Sequence, residues 1–190
     1  MDALSHITDE MLASSLRTDA RVLGDIIERY EKKLSLYIGR KSSATADDIK
    51  DILQNIFIKV YKNIYDFDTS LSFSSWIYRI AHNEMIDWYR KEKRRPRISI
   101  EGNDYILQTI ASEVDIADIA IKEETKKHLR EAIELLPEKY QDIVDLRFFE
   151  DKSYDEIADI LAIPPGTVAI RISRVKKQLQ EILKDYERQQ

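Results

Sequence analysis

The sequence predicts an all-α protein in which two small helical domains are joined by an acidic linker. Glycine and proline occur only four times each among 190 residues, too few for the many turns of an all-β chain. Apolar residues recur every three or four positions on both sides of residues 95–120, which is the spacing of helices that bury one face. The predicted domains are therefore 1–94 and 121–190, and the predicted linker is 95–120.

Helices account for most of each predicted domain. Asp19 and Asp47 are the expected N-caps of two long helices in the first domain, because a carboxylate accepts hydrogen bonds from free backbone N–H groups. A third long helix is expected at 73–92, after a loop at 66–72, and a weaker helix at 8–17. In the second domain the expected helices are 118–135, 138–149, 154–161 and 166–185.

The predicted linker differs from both domains in pattern and in charge. Pro96 and Gly102 interrupt it, and its apolar residues keep no sustained helical period. Residues 98–121 hold five acidic side chains and no basic one, whereas residues 93–97 hold four basic side chains. The net charge of −5 therefore hides local patches, and binding depends on the potential within about one Debye length, ~8–10 Å.

The composition excludes several kinds of chemistry. The chain has no cysteine, which excludes disulfides, zinc fingers and thiol catalysis. His6, His82 and His128 are far apart, and no carboxylate pattern beside them marks a metal site. Without a nucleophile–base pair or a phosphate-binding glycine loop, we expect neither enzyme activity nor a cofactor. No apolar run reaches the ~18 residues of a membrane span, and the N-terminus has no signal pattern, so we expect a cytoplasmic monomer.

The clearest local pattern lies near the C-terminus. Ser153 and Glu156 form a capping-box pattern that begins a helix. Pro164 and Pro165 end that helix and suit the first turn of the next one, whose inward apolar stripe begins at Val168. Two helices joined by such a tight turn make a helix-turn-helix, and the second of them can lie in the DNA major groove.

The outer face of this second helix is polar and basic. The residues expected to face DNA are Thr167, Ile170, Arg171, Ser173, Arg174, Lys176 and Lys177. Arginine can reach guanine O6 and N7 or a phosphate, whereas lysine more often contacts phosphate. A solvated basic face on a structural helical hairpin is the alternative, but the full spacing from Glu156 to Arg174 favours DNA binding.

Aromatic and basic side chains alternate in the helix expected at 73–92. The residues that fall within about 60° of one another on a helical wheel are Trp76, Arg79, Asn83 and Arg90. Such a surface suits unpaired bases, because the ring stacks, the amide reads a base edge and the guanidinium holds phosphate. The alternative is that Trp76 and Trp88 are both core residues, and Tyr89 is open to either interpretation.

The outer side of the preceding helix carries Asp48, Asp51, Gln54 and Asn55. Asp51 and Gln54 are i, i+3 neighbours and share one face of the helix. Spacing alone marks them as ordinary solvent-facing residues, since nothing nearby forms a metal site or an acid–base pair with them.

Taken together, both halves resemble a bacterial RNA polymerase sigma factor of the extracytoplasmic-function (ECF) type. Residues 48–61 are similar to the family's region 2.2, residues 73–90 to regions 2.3 and 2.4, and residues 135–177 to region 4. The order of these motifs and the acidic linker between them are specific to the family. The resemblance implies a region 2 helical bundle in 1–94 and a region 4 helix-turn-helix in 121–190.

The resemblance also implies partners and site residues for the first domain. Region 2.2 grips the clamp helices of core RNA polymerase, here through Asp48, Asp51, Gln54, Asn55 and Phe57. Regions 2.3 and 2.4 open the −10 promoter element and read it as a single strand, and the loop at 66–72 receives a flipped base. The residues expected in that role are Phe67, Ser72, Phe73, Trp76, Arg79, Asn83, Asp87, Trp88, Tyr89 and Arg90.

For the second domain the resemblance implies that the helix-turn-helix reads the −35 element as duplex DNA. Its upstream helices would contact the polymerase flap, and an anti-sigma factor, common in the family, is a further candidate partner. The sequence departs from the family in the turn, where Ala162 replaces a common glycine and Pro165 a frequent valine or isoleucine. It also carries Ala169-Ile170 where many relatives have Lys-Ser, which changes the surface that meets the −35 bases.

Three other classes of protein explain less of the sequence. A one-component helix-turn-helix regulator that does not associate with polymerase would need a ligand or receiver domain, usually with a βαβ pattern, and residues 1–92 show none. A helical scaffold that sequesters a partner would not need the recognition-helix spacing. An enzyme is the least supported class, because no catalytic constellation is present.

Overall fold

The computed structural model describes residues 7–92, 98, 104–113 and 123–188, with side chains up to Lys184. Over those ranges the chain forms helices and no β-strand, which confirms the all-α prediction. The helices are α1 Asp9–Leu16, α2 Leu23–Lys41, α3 Ala46–Asn63, α4 Phe73–Glu92, α5 Asp104–Glu113, α6 Glu123–Glu134, α7 Glu138–Val144, α8 Tyr154–Leu161 and α9 Pro165–Arg188. None of these helices has the length and apolarity that crossing a bilayer requires.

The chain divides into two compact units, the first of which contains α1 to α4. In this unit α3 packs against α2 on one side and α4 on the other. Aromatic side chains fill much of the core, with Tyr30 edge-on to Phe73 at 5.8 Å and Tyr37 edge-on to Tyr78 at 5.4 Å between ring centroids. Burial raises the pKa of Tyr30, so its hydroxyl stays protonated and donates to a carboxylate oxygen of Asp9.

The helix starts in the first unit follow short polar side chains. Asp19 accepts a hydrogen bond from the backbone N–H of Arg21 at 3.0 Å and begins the turn that leads into α2, as its sequence position predicts. The cap expected at Asp47 is wrong, because the N-cap of α3 is Thr45, two residues earlier, and the helix begins at Ala46. The Thr45 hydroxyl and the Asp48 carboxylate exchange hydrogen bonds with each other's backbone N–H groups, a capping box that satisfies two free donors.

The second unit is centred on α5, α6, α7 and α9, with most of α8. The buried side chains that form its core are Ile98, Leu107, Ile110, Ala111, Leu129, Ala132, Ile133, Leu136, Tyr140, Val144, Val175, Leu179 and Leu183. Val175 and Leu179 belong to the stripe that the sequence predicts for the recognition helix. Burying a side chain of this size contributes about 1.5–3 kcal/mol, so α9 is held mainly by this stripe.

Helix α5 corrects the expectation that the linker lacks helix. It lies inside the predicted linker 95–120, and its buried residues Leu107, Ile110 and Ala111 complete the core of the second unit. The helix is short, and its stability depends on the neighbouring helices whose core it completes. The limits of the linker, at 95 and 120, remain predictions.

Two other boundaries differ from the sequence expectation. Helix α7 ends at Val144, and the chain continues through a wider π turn at Asp145–Phe149, where the Glu150 N–H donates to the Asp145 carbonyl at 3.1 Å. The single helix expected at 138–149 is therefore two elements. The helix expected at 118–135 is described only from Glu123, and its first residues lie outside the described ranges.

Candidate nucleic-acid interface

An aromatic cluster lies at the start of α4, where Phe67, Phe73 and Trp76 meet. The Trp76 ring centroid lies 5.2 Å from that of Phe67 and 5.6 Å from that of Phe73. Phe67 and Phe73 are fully buried, whereas Trp76 is only half-buried. The indole is therefore braced on one side by two rings and keeps part of its surface open to solvent, as a stacking platform for a base requires.

Arg17 of the α1–α2 connection fixes the loop that precedes this cluster. Its guanidinium donates to the carbonyl of Ile64 at 3.3 Å and to the carbonyl of Phe67, while the Tyr65 hydroxyl donates to the Arg17 carbonyl at 2.5 Å. These bonds join segments about fifty residues apart, so no local spacing in the sequence reveals them. Arg17 is a positioning residue that the sequence analysis missed.

The tip of the same loop is shaped by its own polar side chains. The Asp68 carboxylate accepts hydrogen bonds from the backbone N–H and the hydroxyl of Ser70, at 2.9 and 2.8 Å. The Ser70 N–H holds the pKa of Asp68 below its usual range. The Ser72 hydroxyl accepts from the Ser75 N–H at 3.2 Å, so Ser72 caps α4 rather than lying free for a base.

Helix α4 presents a polar face beyond the cluster. Arg79, Asn83 and Arg90 are exposed on it, as the helical wheel predicts. Asp87 is half-buried and forms ion pairs with Lys59 of α3 at 3.9 Å and with Arg90 at 3.5 Å. A base or phosphate that binds this face therefore meets two exposed cations and one amide, with Asp87 limiting how Arg90 can move.

Three aromatic residues expected to contact bases are buried instead. Phe67, Phe73 and Tyr89 are at most 6% exposed, and the Tyr89 hydroxyl donates to the carbonyl of Lys41 inside the first unit. Trp88 is half-buried, with its ring 5.5 Å from that of Tyr89. In this conformation the three buried rings hold α4 in place from inside, and their contact with DNA stays a prediction.

The outer face of α3 matches the sequence expectation in part. Asp51, Gln54 and Asn55 are exposed, whereas Phe57 is 7% exposed and belongs to the core. Phe57 therefore supports the helix from inside in this conformation, and the Asp48 carboxylate takes part in the capping box, while a polymerase contact by either residue stays a prediction. The structure adds two exposed apolar side chains on the same helix, which are Ile58 and Tyr61.

The helix-turn-helix is formed as the sequence predicts. The Ser153 N–H donates to the Glu156 carboxylate at 3.0 Å, and the Glu156 N–H donates to the Ser153 hydroxyl at 3.2 Å, which completes the expected capping box of α8. In the turn Ala162 adopts φ +51°, and the Ile163 N–H donates to the Ala158 carbonyl at 3.0 Å. A side chain at positive φ is strained, which explains why a glycine is common at this position in the resembling family.

We expect Ala162→Gly to stabilise the protein by about 0.5–1 kcal/mol, because glycine adopts positive φ without the clash of a Cβ atom. Ala169→Gly is the matched control, since the same substitution inside α9 should destabilise by about 0.5–1 kcal/mol. Urea unfolding of both variants measures the difference. Destabilisation of similar size by both glycines would contradict strain at Ala162.

The expected basic residues on the outer face of α9 differ in their exposure and in their ion pairing. Arg171 and Arg174 have no ion-pair partner among the described residues, and Ile170, which precedes them on the same face, is 55% exposed. The Lys177 side chain is 77% exposed, and its ammonium nitrogen lies 3.9 Å from a carboxylate oxygen of Glu181, which makes a long and weak surface ion pair. Lys176 is 31% exposed and held 2.8 Å from Glu113. Thr167 lies in the first turn of α9, where its N–H donates to the Pro164 carbonyl at 2.8 Å.

A helix-turn-helix with a basic outer face, in one chain with a second helical unit that carries an open indole, defines a DNA-binding protein of transcription. Sequence comparisons agree with this class. Residues 26–95 match Sigma-70 region 2, and residues 126–179 match Sigma-70 region 4.

Curated relatives then identify the family. The chain is 33% identical over 172 residues to the ECF RNA polymerase sigma factor SigW of Bacillus subtilis, covering 88% of this chain and 91% of that one. It is 29% identical over 181 residues to the ECF RNA polymerase sigma-E factor of Haemophilus influenzae, covering 92% and 95%. The chain belongs to the ECF sigma factors of RNA polymerase, which act in transcription initiation.

Solved structures agree on the fold. The chain is similar to CnrH in its complex with the cytosolic domain of CnrY, with a TM-score of 0.64 and 23% identity over 93% of this chain and 97% of that one. It is also similar to RpoE of Bartonella quintana in complex with the anti-sigma factor NepR, with a TM-score of 0.57 and 20% identity over 85% and 96%.

Proposed function

We propose that this sigma factor reads the −35 element as duplex DNA through α9 and the −10 element as a melted single strand through α4. The observation that carries the first half is a pair of guanidinium groups, those of Arg171 and Arg174, which lie on the outer face of a helix-turn-helix and have no ion-pair partner in the described part of the chain. An arginine without an internal partner is available for a bidentate bond to guanine or for phosphate. Lys177 is placed for phosphate contact, with Thr167, Ile170 and Ser173 beside it.

The second half of the proposal rests on the half-buried indole of Trp76. Its ring is already desolvated on the side that meets Phe67 and Phe73, so stacking of a base on the open side costs little further ordering of the protein. Arg79 and Asn83, exposed one and two turns further along α4, supply a cation for phosphate and an amide for a base edge. Stacking contributes about 1–3 kcal/mol per base and so offsets part of the unpairing.

Permanganate footprinting tests the melting step, because this reagent modifies unpaired thymine. With core RNA polymerase, wild-type protein and a promoter selected by the holoenzyme, we expect reactive thymines at the −10 element and none at the −35 element. An unreactive −10 element in complexes that nevertheless start transcription would contradict the proposed single-strand reading. The protein itself acts by binding, and the polymerase performs the chemistry.

We propose that the exposed face of α3 binds the clamp helices of core polymerase through Asp51, Gln54 and Asn55. The exposed Ile58 and Tyr61 support this role, because interfaces combine an apolar centre with a polar rim. The upstream helices of the second unit would contact the polymerase flap. Leu135, at the end of α6, is 78% exposed and is an apolar anchor available there.

Asp51→Ala should weaken binding to core polymerase by roughly tenfold, because a charged contact at the centre of an interface is worth ~1–2 kcal/mol or more. Glu31→Ala, an equally exposed acidic residue of α2, is the control for the loss of one negative charge. Fluorescence titration of labelled protein with core polymerase measures both affinities. Wild-type affinity for the Asp51 variant, or equal weakening in both variants, would argue against this face.

We also propose an anti-sigma factor as a partner of the free chain. RpoE of Bartonella quintana, which shares this fold, was solved with the anti-sigma factor NepR. An anti-sigma factor that covered Ile58 and Tyr61 would compete with polymerase for the same apolar side chains.

A further inference from the structure

The last residue of α5 connects the predicted linker to the recognition helix. Glu113 places one carboxylate oxygen 2.8 Å from the ammonium nitrogen of Lys176 on α9 and the other 3.5 Å from a guanidinium nitrogen of Arg147. The side chains of Glu113, Lys176 and Arg147 are each about one-third exposed. Solvent therefore screens the ion pair between Glu113 and Lys176 less than it screens the fully exposed ion pairs of this unit. In this conformation the Glu113 carboxylate neutralises the Lys176 ammonium, the kind of group that contacts a DNA phosphate.

Helix α5 is held firmly enough to keep the carboxylate there. Its buried residues Leu107, Ile110 and Ala111 belong to the core of the second unit. At its other end Asp104 bonds Lys126 at 2.9 Å and Arg130 at 2.6 Å, both on α6. The hydrogen bond from Lys126 holds the pKa of Asp104 below its usual range, so this anchor stays charged at neutral pH. Glu113 is therefore presented by a docked helix and not by a free loop.

We propose that Glu113 is an intramolecular competitor of DNA: in the free chain it neutralises Lys176 and lowers the affinity of the recognition helix for duplex. This inference rests on the proposed DNA contact of α9. The four cations on the outer face of α9 differ in their ion pairing. Lys176 has the close partner Glu113, Lys177 has only a distant one, and Arg171 and Arg174 have no described ion-pair partner. Among the described ion pairs, Lys176 alone of these four is bound by a residue outside its own helix, so moving α5 away would free one more cation for a phosphate contact.

Glu113→Gln tests the proposal in the full-length protein, with a fluorescein-labelled random-sequence duplex about two helical turns long as the probe. Each phosphate contact makes affinity scale with about the −0.9 power of salt concentration. We therefore expect the variant to bind roughly fivefold to tenfold more tightly at about 0.1 M salt, and its plot of log affinity against log salt to be steeper by about 0.9. Arg147 keeps its second partner, Asp151, at 3.6 Å, so the substitution frees chiefly Lys176.

Two controls separate competition from a general change of charge. Glu181→Gln removes the same charge from α9 itself, next to Lys177, and should change affinity less than twofold with no change in salt slope, because that pair is exposed and long. In a Lys176→Met background, Glu113→Gln should no longer tighten binding. Equal tightening by both glutamine variants, or tightening that persists without Lys176, would overturn the competition.

The outcomes also distinguish this inference from the function it rests on. If Lys177→Ala, which removes a proposed phosphate contact, lowers the duplex affinity of the chain while Glu113→Gln leaves it unchanged, the DNA-binding face is retained and the competition alone is refuted. A chain whose duplex affinity responds to neither substitution has no DNA-binding face on α9, which refutes both. Circular dichroism spectra identical to wild type confirm that each variant is folded.

Discussion

Arg174→Ala should reduce transcription from a −35-dependent promoter by roughly 5- to 150-fold. A bidentate contact between arginine and guanine is worth about 1–3 kcal/mol of discrimination, and Arg174 is exposed on α9 with no ion-pair partner among the described residues. Its guanidinium is therefore free to meet DNA without first breaking an internal bond. Run-off transcription by the reconstituted holoenzyme measures the loss.

Two comparisons test whether Arg174 reads a base or contributes only its positive charge. Lys184→Ala removes an exposed positive charge from the same helix, beyond the proposed contact face, and should change transcription less than twofold. On a promoter with a scrambled −35 element, wild type and Arg174→Ala should be equally weak. If the variant lost the same factor on both promoters, Arg174 would contribute charge alone and the proposed readout would be contradicted.

Trp76→Ala should slow promoter opening by about tenfold or more while leaving duplex binding through α9 unchanged. The indole is the open member of the cluster with Phe67 and Phe73, and its loss removes a stacking contribution of ~1–3 kcal/mol per base. Stopped-flow fluorescence of a promoter labelled in the −10 element measures opening. Affinity of the holoenzyme for a duplex that carries only the −35 element measures the closed contact.

The competing explanation is that Trp76 merely supports the fold of the first unit. Trp76→Phe separates the two, because a smaller ring keeps much of the packing against Phe67 but offers a smaller stacking surface. We expect that variant to unfold close to wild type and to open promoters at an intermediate rate. Loss of opening that parallels a lowered unfolding temperature in both variants would instead favour a core residue.

The sequence predicts most of what depends on local patterns. The capping box at Ser153 and Glu156 and the inward stripe beginning at Val168 are both observed, because each is set by side chains within a few residues. The same reasoning does not predict α5, because its three buried residues form a core only together with side chains of other helices. Helix α8 is shorter still, but the capping box at its start marks where it begins.

The exposure of the expected site residues was predicted best where it follows from the helical wheel, as at Arg79 and Asn83. Phe57 and Tyr89 show the limit, because a motif names the residue types that matter without saying which of them act from inside the core. Arg17 shows another limit, since its bonds to the loop before α4 join distant parts of the chain. A positive φ at Ala162 is likewise invisible in the sequence, although the departure from glycine marks the position.

The central claim is that this chain confers promoter recognition on a core RNA polymerase. The most direct measurement is run-off transcription from a genomic promoter library by core polymerase with and without the protein. We expect transcripts that start at a limited set of sites sharing spaced −10 and −35 elements, and none of them without the protein. Unchanged start sites on addition of the protein, together with no binding of the protein to core polymerase, would contradict the account.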